Sequence, residues 1–349
     1  MANLPLHYGQ APRWLFSRMS GLAREIVYAI VKEHGADEFL NRISDPFWFQ
    51  AFGCCLGFDW HSSGLTTTVC AALKAGLQDT GRELGLYFAG GKGATSRKTP
   101  EEIDRIGQAR LIDVVPDKLI YASRMSAKVD NAALQDGYTL YQHMFIFTKQ
   151  GKWSVVQQGM NRQSRYARRY HWLSETLNDF VCEPHHAVCC DQKHKTLNMV
   201  AQESQSCRRR SADLSALKPE KVLAGLNKLR LSSRHPVSLD DIRPENLKRI
   251  LLKTYLRQPQ DFEQLLGTPG VGPKTIRSLA LISELIWGLS PSFRDPVRFS
   301  FAHGGKDGHP YPVNRSGYDR TIQILKQAVA EAKVGQVQKF KALQRLNKF

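Results

Sequence analysis

Lys274 is the residue whose surroundings point most directly to chemistry. It stands in the sequence TPGVGPKT, where two glycines and a proline precede a long apolar helical pattern. Gly270 and Gly272 allow backbone torsions and close approaches that a Cβ would prevent, and Pro273 suits the first position of a helix. The free N–H groups of a helix N-terminus favour an anion. We therefore predict a phosphate site here, to which Lys274 and Thr275 add a charge-assisted contact and a hydroxyl donor.

Residues 260–288 resemble the helix-hairpin-helix motif of many DNA-binding proteins. In that motif two helices flank a glycine-containing turn, which here is GVG, followed by the helix that begins PKT. The resemblance implies that the turn holds the DNA backbone without reading its sequence, and it specifies no reaction. The residues that it assigns to this contact are Thr268, Gly270, Val271, Gly272, Lys274 and Thr275.

This part of the chain also resembles the DNA glycosylases built around that motif. Their lyase members place a lysine just after the second glycine and an aspartate beyond the next helix, and here Asp295 follows Lys274 by 21 residues. The resemblance implies that Lys274 forms a Schiff base with C1′ of a damaged nucleotide, that Asp295 assists the nucleophile or stabilises charge on the sugar, and that the base is flipped out. A role for Lys274 as a phosphate contact alone remains the alternative. No cysteine follows Cys207, so the iron–sulfur cluster of some members is not expected.

The net charge of the chain also favours DNA as the partner. Lys and Arg number 49 against 32 Asp and Glu, which gives a net charge of +17 over 349 residues. Such a surface repels itself unless counter-charge is nearby, and nucleic acid is the usual polyanion. Outside the hairpin, the predicted DNA contacts are Arg165, Arg168 and Arg169 in RQSRYARRYHW and Lys306 in HGGKDGHPYP.

A second group of polar residues surrounds the ends of the predicted strands. Amide side chains suit base edges because they donate and accept hydrogen bonds in one plane. The candidate base-recognition pocket comprises Lys128, Asp130, Asn131, Gln157 and Gln158. Two alternatives remain for this region: a nuclease site within residues 113–161, and a solvated rim of the sheet.

Metal and nucleotide cofactors are not expected. The segment CEPHHAVCCDQKH holds three cysteines and three histidines, but their spacing lacks the two separated ligand pairs of a structural zinc site. The glycine-rich FAGGKGATSRKTP lacks the Gly-Lys-Ser/Thr run of a P-loop. We predict no metal, no cofactor and no use of ATP.

The sequence also favours a cytoplasmic location. Its first residues do not form the apolar region of a secretory signal, and it has no run of roughly 18 apolar residues that would span a membrane. The seven cysteines include two adjacent pairs, which suits no disulfide framework. A reducing compartment is therefore expected.

The elements that must position these residues indicate an α+β fold. Apolar residues from Leu15 to Val31 recur with a helical period, and Gly35 is the predicted stop. A helix is also expected to begin at TPEE, and a β-hairpin to turn at Lys149-Gln150-Gly151. Strands are predicted at LGLYFA (84–89), RLIDVV (110–115), KLIYASRM (118–125), LYQHMFIFT (140–148) and KWSVVQQGM (152–160). We divide the chain into a mixed α+β domain (1–160), a basic bridging segment (161–215) and a helical DNA-binding domain (216–349).

The whole chain resembles a prokaryotic family of uncharacterised proteins. The stretches that carry this resemblance are FGCCLGFDWHSSGLTTTVC, SRMSAKVDNAALQDGYTLYQH and RDPVRFSFAHGGKDGHPYP, and the family supplies no activity. The sequence therefore predicts a DNA-binding repair enzyme, a DNA glycosylase and abasic-site lyase with Lys274 and Asp295 at the chemistry. The alternatives are a DNA nuclease acting through residues 113–161 and a non-enzymatic, structure-specific DNA-binding protein.

Overall fold

The chain folds as an antiparallel sheet with helices before and after it. The computed structural model describes residues 12–57, 63–190, 192–229, 231, 235, 238, 241–298 and 315–346. Helices account for 58% of the structure and strands for 13%, with the sheet in the middle and helices at both ends. The predicted α+β class is confirmed.

Five strands form the main sheet, and two short strands pair beside it. The order of the main sheet is β1-β3-β4-β5-β6, all antiparallel, and β2 pairs with β7. The predicted β3–β4 hairpin is confirmed, with Gly151 in the left-handed region at φ 89°. The strands are β1 Leu86–Lys92, β2 Leu134–Gln135, β3 Thr139–Thr148, β4 Trp153–Met160, β5 Ala167–Leu173, β6 Ala187–Cys189 and β7 Leu197–Asn198.

Among the described residues, seven α-helices precede β2. The first ends where the sequence predicts, because Gly35 takes φ 87° at its C-terminus. The predicted TPEE start is also confirmed at Thr99. The helices are α1 Arg13–His34, α2 Ala36–Ser44, α3 Pro46–Leu56, α4 Gly64–Leu77, α5 Gly81–Leu84, α6 Thr99–Gln108 and α7 Pro116–Lys128. A 3-10 segment, Gly93–Lys98, leads into α6, and a π-helical turn, Val129–Ala133, extends α7.

The strands predicted at 110–115 and 118–125 are wrong, since this segment leads into and forms α7. Pro116 occupies the first turn of the helix, where its missing N–H costs nothing. Leu119, Ala122, Met125 and Val129 are buried at intervals of three or four residues. That interval gives a helix one apolar face, and it outweighs the strand propensity of the short run Leu-Ile-Tyr.

Seven further α-helices follow β7 in the part of the chain that the structure describes. They are α8 Gln205–Ser215, α9 Pro219–Asn227, α10 Pro244–Arg257, α11 Phe262–Gly267, α12 Pro273–Trp287, α13 Arg315–Glu331 and α14 Gln336–Leu346. The turn at 268–272 joins α11 to α12, so two helices flank the glycine turn as predicted.

The sheet separates two apolar cores. On one face, Met144 and Ile146 of β3 pack with α1–α5 and with α13 and α14. On the other face, Phe145 and Phe147 pack with α6–α12. The last two helices therefore pack with the first ones, across the sheet from α11 and α12. The aromatic side chains of Trp48, Phe49 and Phe52 on α3 are buried in the first of these cores.

Candidate functional site

The hairpin, residues 268–272, joins two helices and is held by local hydrogen bonds. Asp261 caps α11 by accepting a hydrogen bond from the Gln264 backbone N–H at 2.7 Å. The buried Thr268 hydroxyl donates to the Gln264 carbonyl at 2.9 Å. Gly270 takes φ 93°, and a Cβ there would lie 2.7 Å from Cδ1 of Ile250. Gly270 is thus required by the backbone, whereas Gly272 is extended and has open space around it.

The same substitution is expected to affect stability very differently at the two glycines. Gly270→Ser is expected to lower the free energy of unfolding by about 1–3 kcal/mol, because serine is strained at positive φ and meets Ile250. Gly272→Ser is expected to change it by less than about 0.5 kcal/mol, because serine is favoured at a helix N-cap. Urea unfolding of both variants checks this, and equal losses would contradict it.

The N-terminus of α12 faces a cavity of about 680 Å³ that Lys274 shares with the hairpin and α10. The Lys274 side chain is 56% exposed, and its Nζ donates to the Asp241 carbonyl at 2.6 Å. The Asp241 carboxylate lies 3.3 Å from Lys274 Nζ and 3.1 Å from Arg277. Exposed ion pairs of this kind contribute little free energy, so a phosphate can replace Asp241 as the partner of the Lys274 amine. Arg243 and Arg249 line the same cavity.

Asp295 has a different environment. Its side chain is 4% exposed and lies 2.7 Å from the buried Arg168 guanidinium. It also accepts hydrogen bonds from the backbone N–H groups of His194 at 2.8 Å and Val297 at 3.0 Å. Arg168 pairs in turn with buried Asp136 at 2.9 Å. Asp295 therefore anchors the segment after α12 to the sheet.

The structure places Lys274 and Asp295 in separate surroundings. Lys274 and Asp295 line different cavities. Within the described ranges, no hydrogen bond or ion pair joins the two residues, and they have no common partner. A lyase needs amine and carboxylate at the same sugar. The Lys274–Asp295 pair stays a prediction.

The other predicted DNA contacts divide by exposure. Arg168 and Arg169 are 0% and 1% exposed. Arg169 lies over the Phe49 ring at 4.4 Å, and its Nε donates to His171 Nε2 at 2.8 Å. Arg165 is exposed, and Lys306 lies outside the described residues. Neither buried arginine is available to a phosphate in this arrangement.

A larger cavity, the cleft, opens beside the hairpin with a volume of about 880 Å³. Its walls come from the 3-10 segment and start of α6, from α7, from β3 and from α10 and α11. Its charged lining side chains are the basic Arg97, Arg124, Lys128 and Arg257 and the acidic Asp117 and Glu263. Cations therefore outnumber anions in the cleft.

Lys128 connects the cleft to the hairpin. It lines the cleft, and its Nζ donates to the Val271 carbonyl of the hairpin at 2.5 Å. Burial lowers the pKa of this amine below its ordinary value. Lys128 thus joins the wall of the cleft to the hairpin.

A buried polar network lies beneath the cleft on the same face of the sheet. Asp130 Oδ2 accepts from Gln157 Nε2 at 2.6 Å and from Trp172 Nε1 at 2.9 Å, and Oδ1 contacts His185. The predicted base-recognition residues therefore lie in different environments. Lys128 lines the cleft, Asp130 and Gln157 are buried below it, and Asn131 is exposed.

Gln158 points to the opposite face of the sheet. Its Nε2 donates to the Ser63 carbonyl at 2.8 Å and to the Tyr141 hydroxyl. The structure does not bring Gln158 together with Gln157, because neighbouring residues of a strand face opposite sides.

Ser123 and His143 also line the cleft, with Ser123 Oγ 2.9 Å from His143 Nε2, and neither is among the site residues predicted from the sequence. Ser123 lies on α7, which was predicted as a strand, and strand geometry gives no reason to place it beside β3. The interval of four between Arg124 and Lys128 was the available signal, because it places both cations on one helix face. His143 ends the segment SRMSAKVDNAALQDGYTLYQH, and the turn of the β-hairpin separates it from Gln157 along the chain.

The cysteines and histidines of 182–194 are distributed among separate contacts. The Tyr138 hydroxyl and Cys190 Sγ lie 3.3 Å apart, His185 contacts Asp130, and Thr176 bonds His186 at 3.3 Å. Across the described residues, no group of three or more His, Cys, Asp or Glu side chains is arranged to hold a metal ion.

Two buried histidines predict acid sensitivity. Burial lowers the pKa of His143 below 6.5, and burial, followed by the charge of Arg169, does the same for His171. The unfolded chain then binds protons that the folded chain does not, so stability falls as the pH drops from 6.5 toward the folded-state values. Each histidine contributes a slope of up to about 1.4 kcal/mol per pH unit in that window.

Urea unfolding at pH 7.5 and 5.5 measures this slope. His143→Gln is expected to reduce the slope by the contribution of one proton, up to about 1.4 kcal/mol per pH unit. His34→Gln serves as the control, because His34 is exposed. A wild-type stability that is unchanged between these pH values would contradict the prediction.

The fold and the site define a mixed α+β protein in which a glycine hairpin borders a basic cavity. Residues 1–313 match the family described as "Protein of unknown function (DUF763)". The chain belongs to that family, as its resemblance to an uncharacterised family predicts. Comparison with curated proteins and with solved structures gives no significant match. The comparisons lend no support to membership of the helix-hairpin-helix glycosylases.

The lengths and hydropathies of the helices bear on whether the chain crosses a membrane. Throughout the part of the chain that the structure describes, none is both long enough and apolar enough to cross a bilayer. The predicted absence of a membrane segment agrees with this finding, and the cytoplasmic location stays a prediction.

Proposed function

We propose that this protein is a DNA-processing enzyme whose hairpin holds the DNA backbone while the cleft acts on the strand that enters it. The observation that carries this proposal is the contact between Lys128 of the cleft and Val271 of the hairpin at 2.5 Å. A phosphate held at one surface places its neighbours along the strand within reach of the other.

The hairpin surface suits a phosphate backbone. The first backbone N–H groups of α12 have no partner inside the helix and carry its positive dipole end. Arg243, Arg249 and Lys274 add three side-chain cations around the same cavity. Contacts of this type give affinity without reading the sequence.

The cleft suits a reacting nucleotide. Its volume of about 880 Å³ is in the range of small-molecule sites, roughly 300–1,000 Å³. Arg97, Arg124 and Lys128 are placed to neutralise charge on a phosphodiester. The part of the cleft formed by α7 and β3 lies within residues 113–161, where the nuclease alternative expects its site.

The test is strand cleavage of labelled oligonucleotides, namely a single strand, a nicked duplex and a duplex with an abasic site. Lys128→Met is expected to slow cleavage at least tenfold, and Lys118→Met, on the same helix but exposed and outside the cleft lining, is the matched control. Equal rates for the two variants would remove the cleft from the proposal. Tight binding without scission under any metal condition would instead identify a non-enzymatic DNA-binding protein.

A second candidate, an abasic-site lyase, is favoured by the desolvated Lys128 amine. A lysine with a lowered pKa has more neutral amine available for Schiff-base formation. Borohydride trapping on abasic DNA compares Lys128→Arg with Lys274→Arg. Loss of the adduct only in Lys274→Arg supports the Lys274–Asp295 chemistry, loss only in Lys128→Arg places the amine in the cleft, and a wild type that traps no adduct excludes both.

A further inference from the structure

Four side chains form a continuous hydrogen-bonded chain from the wall of the cleft into the core. Ser123 Oγ lies 2.9 Å from His143 Nε2, and His143 Nδ1 lies 2.9 Å from Gln157 Oε1. Gln157 Nε2 lies 2.6 Å from Asp130 Oδ2. Ser123 and His143 both line the cleft, while Gln157 and Asp130 are 0% exposed. This order, from hydroxyl to imidazole to an orienting group, is that of an activated nucleophile.

The partners of Asp130 determine which nitrogen of His143 carries the proton. Asp130 Oδ2 accepts from Trp172 Nε1, a group that can only donate. The Gln157 amide therefore presents its NH₂ to Asp130 and its oxygen to His143. That oxygen can only accept, so His143 Nδ1 is the protonated nitrogen and Nε2 has a free lone pair.

The free lone pair faces Ser123. Because burial lowers the pKa of His143, the ring is neutral near pH 7 and able to take a proton. The Ser123 hydroxyl is thus the donor in its bond with Nε2. His143 is held in this orientation from behind by Gln157, as the base of a catalytic triad is held by its carboxylate.

We propose that Ser123 is the nucleophile of a phosphodiester cleavage in the cleft and that His143 is its general base. This inference rests on the proposed function and adds the chemistry of the same site. Ser123 Oγ attacks phosphorus and forms an Oγ–P bond, and its proton passes to His143 Nε2. The bond from phosphorus to the leaving oxygen breaks, and the His143 proton passes to that oxygen. Arg124 and Lys128 line the cleft and stabilise the additional negative charge on the phosphoryl oxygens.

Water completes the cycle. His143 Nε2 takes a proton from a water molecule, whose oxygen attacks phosphorus. The Oγ–P bond breaks, and Ser123 recovers its proton from His143. The products are a phosphate-ended strand and a hydroxyl-ended strand, and the protein returns to its starting state without a redox partner.

Gln157 and Asp130 are positioning residues in this scheme. Gln157→Leu removes the group that holds the proton on Nδ1, so His143 can take the wrong tautomer. We expect a lower cleavage rate with little change in KM and a shifted pH–rate profile. A purely structural role would not shift that profile.

The decisive pair of variants is Ser123→Ala and Ser126→Ala, one helical turn apart. Both serines are buried, but the Ser126 hydroxyl donates to a helix carbonyl, that of Ser123, at 3.1 Å. Ser123→Ala is expected to lower the cleavage rate by at least about 10²-fold, the scale of general acid–base catalysis, with DNA affinity retained. Ser126→Ala is expected to cleave like the wild type.

A second experiment looks for the covalent intermediate on Ser123. The oligonucleotide that is cleaved fastest is mixed with excess enzyme and quenched in detergent, and the peptide containing Ser123 is examined by mass spectrometry. A nucleotide adduct on Ser123 is the expected result. Cleavage that is equal in Ser123→Ala and Ser126→Ala overturns the inference while leaving the proposed function intact. A wild type that binds DNA and never cleaves it overturns the proposed cleavage itself.

Discussion

Arg168→Met is expected to lower the free energy of unfolding by about 3–5 kcal/mol, a large fraction of the stability of an ordinary domain. Arg168 lies between two buried carboxylates, with Asp136 at 2.9 Å and Asp295 at 2.7 Å. Removing the guanidinium leaves both carboxylates buried without their counter-ion, and the cost of an unpaired buried charge is several kcal/mol.

Urea unfolding at pH 7.5 measures this loss. Arg165→Met is the matched control, because Arg165 is exposed three residues away and its replacement is expected to cost less than about 0.5 kcal/mol. If the two variants lose the same stability, Arg168 does not hold Asp136 and Asp295 as described. Asp295 would then be free for the chemistry predicted from the sequence.

DNA affinity is expected to fall by about 10³–10⁵ when the salt concentration is raised from about 50 to 200 mM. This range corresponds to roughly 6–10 phosphate contacts, each of which releases bound counter-ions from the DNA. The net charge of +17 and the cations of the hairpin and the cleft make contacts of this number reasonable.

Fluorescence anisotropy of a labelled duplex at four or more salt concentrations gives the slope. A slope close to zero would mean that few phosphates are held, and it would contradict an interface based on the DNA backbone. Sequence preference is expected to be weak, because the hairpin presents backbone N–H groups and flexible cations to the phosphates.

Local sequence signals predicted the helix ends and the turn whose conformation depends on neighbouring residues. Gly35 as a helix stop, Thr99-Pro100 as a helix start and the turn at Gly151 are all confirmed. Each involves residues whose backbone preference is strong in any context. The strands predicted at 110–115 and 118–125 show the limit, because a short apolar run such as Leu-Ile-Tyr fits a strand or a helix until its partners are known.

The candidate site depended on information that the sequence does not carry. Ser123 and His143 are 20 residues apart, and Asp130 and Trp172 are 42 residues apart, yet each pair shares a hydrogen bond. These contacts arise from packing of α7 against the sheet, which no local pattern encodes. Tertiary contacts also bury Arg168, beside Asp136 and Asp295, and Arg169, over the Phe49 ring, although a run of arginines normally indicates a solvated surface.

The pairing of Lys274 with Asp295 illustrates the same limit. Their separation along the chain is compatible with one helix and a turn, and the structure does place α12 between them. The direction in which each side chain points depends on partners elsewhere, namely Asp241 for Lys274 and Arg168 for Asp295. Spacing alone therefore cannot establish that two residues converge.

The most direct test of a DNA-binding hairpin compares two double variants that remove the same charge. Lys274→Ala with Arg249→Ala removes two cations from the hairpin cavity, and Lys326→Ala with Lys341→Ala removes two exposed cations from α13 and α14, across the sheet. Anisotropy titrations with a labelled duplex at several salt concentrations give the affinity and the salt slope of each. The hairpin variant is expected to bind at least tenfold more weakly, with a slope reduced by about two, while the α13–α14 variant binds like the wild type. Equal affinities and slopes for the two variants would contradict the account.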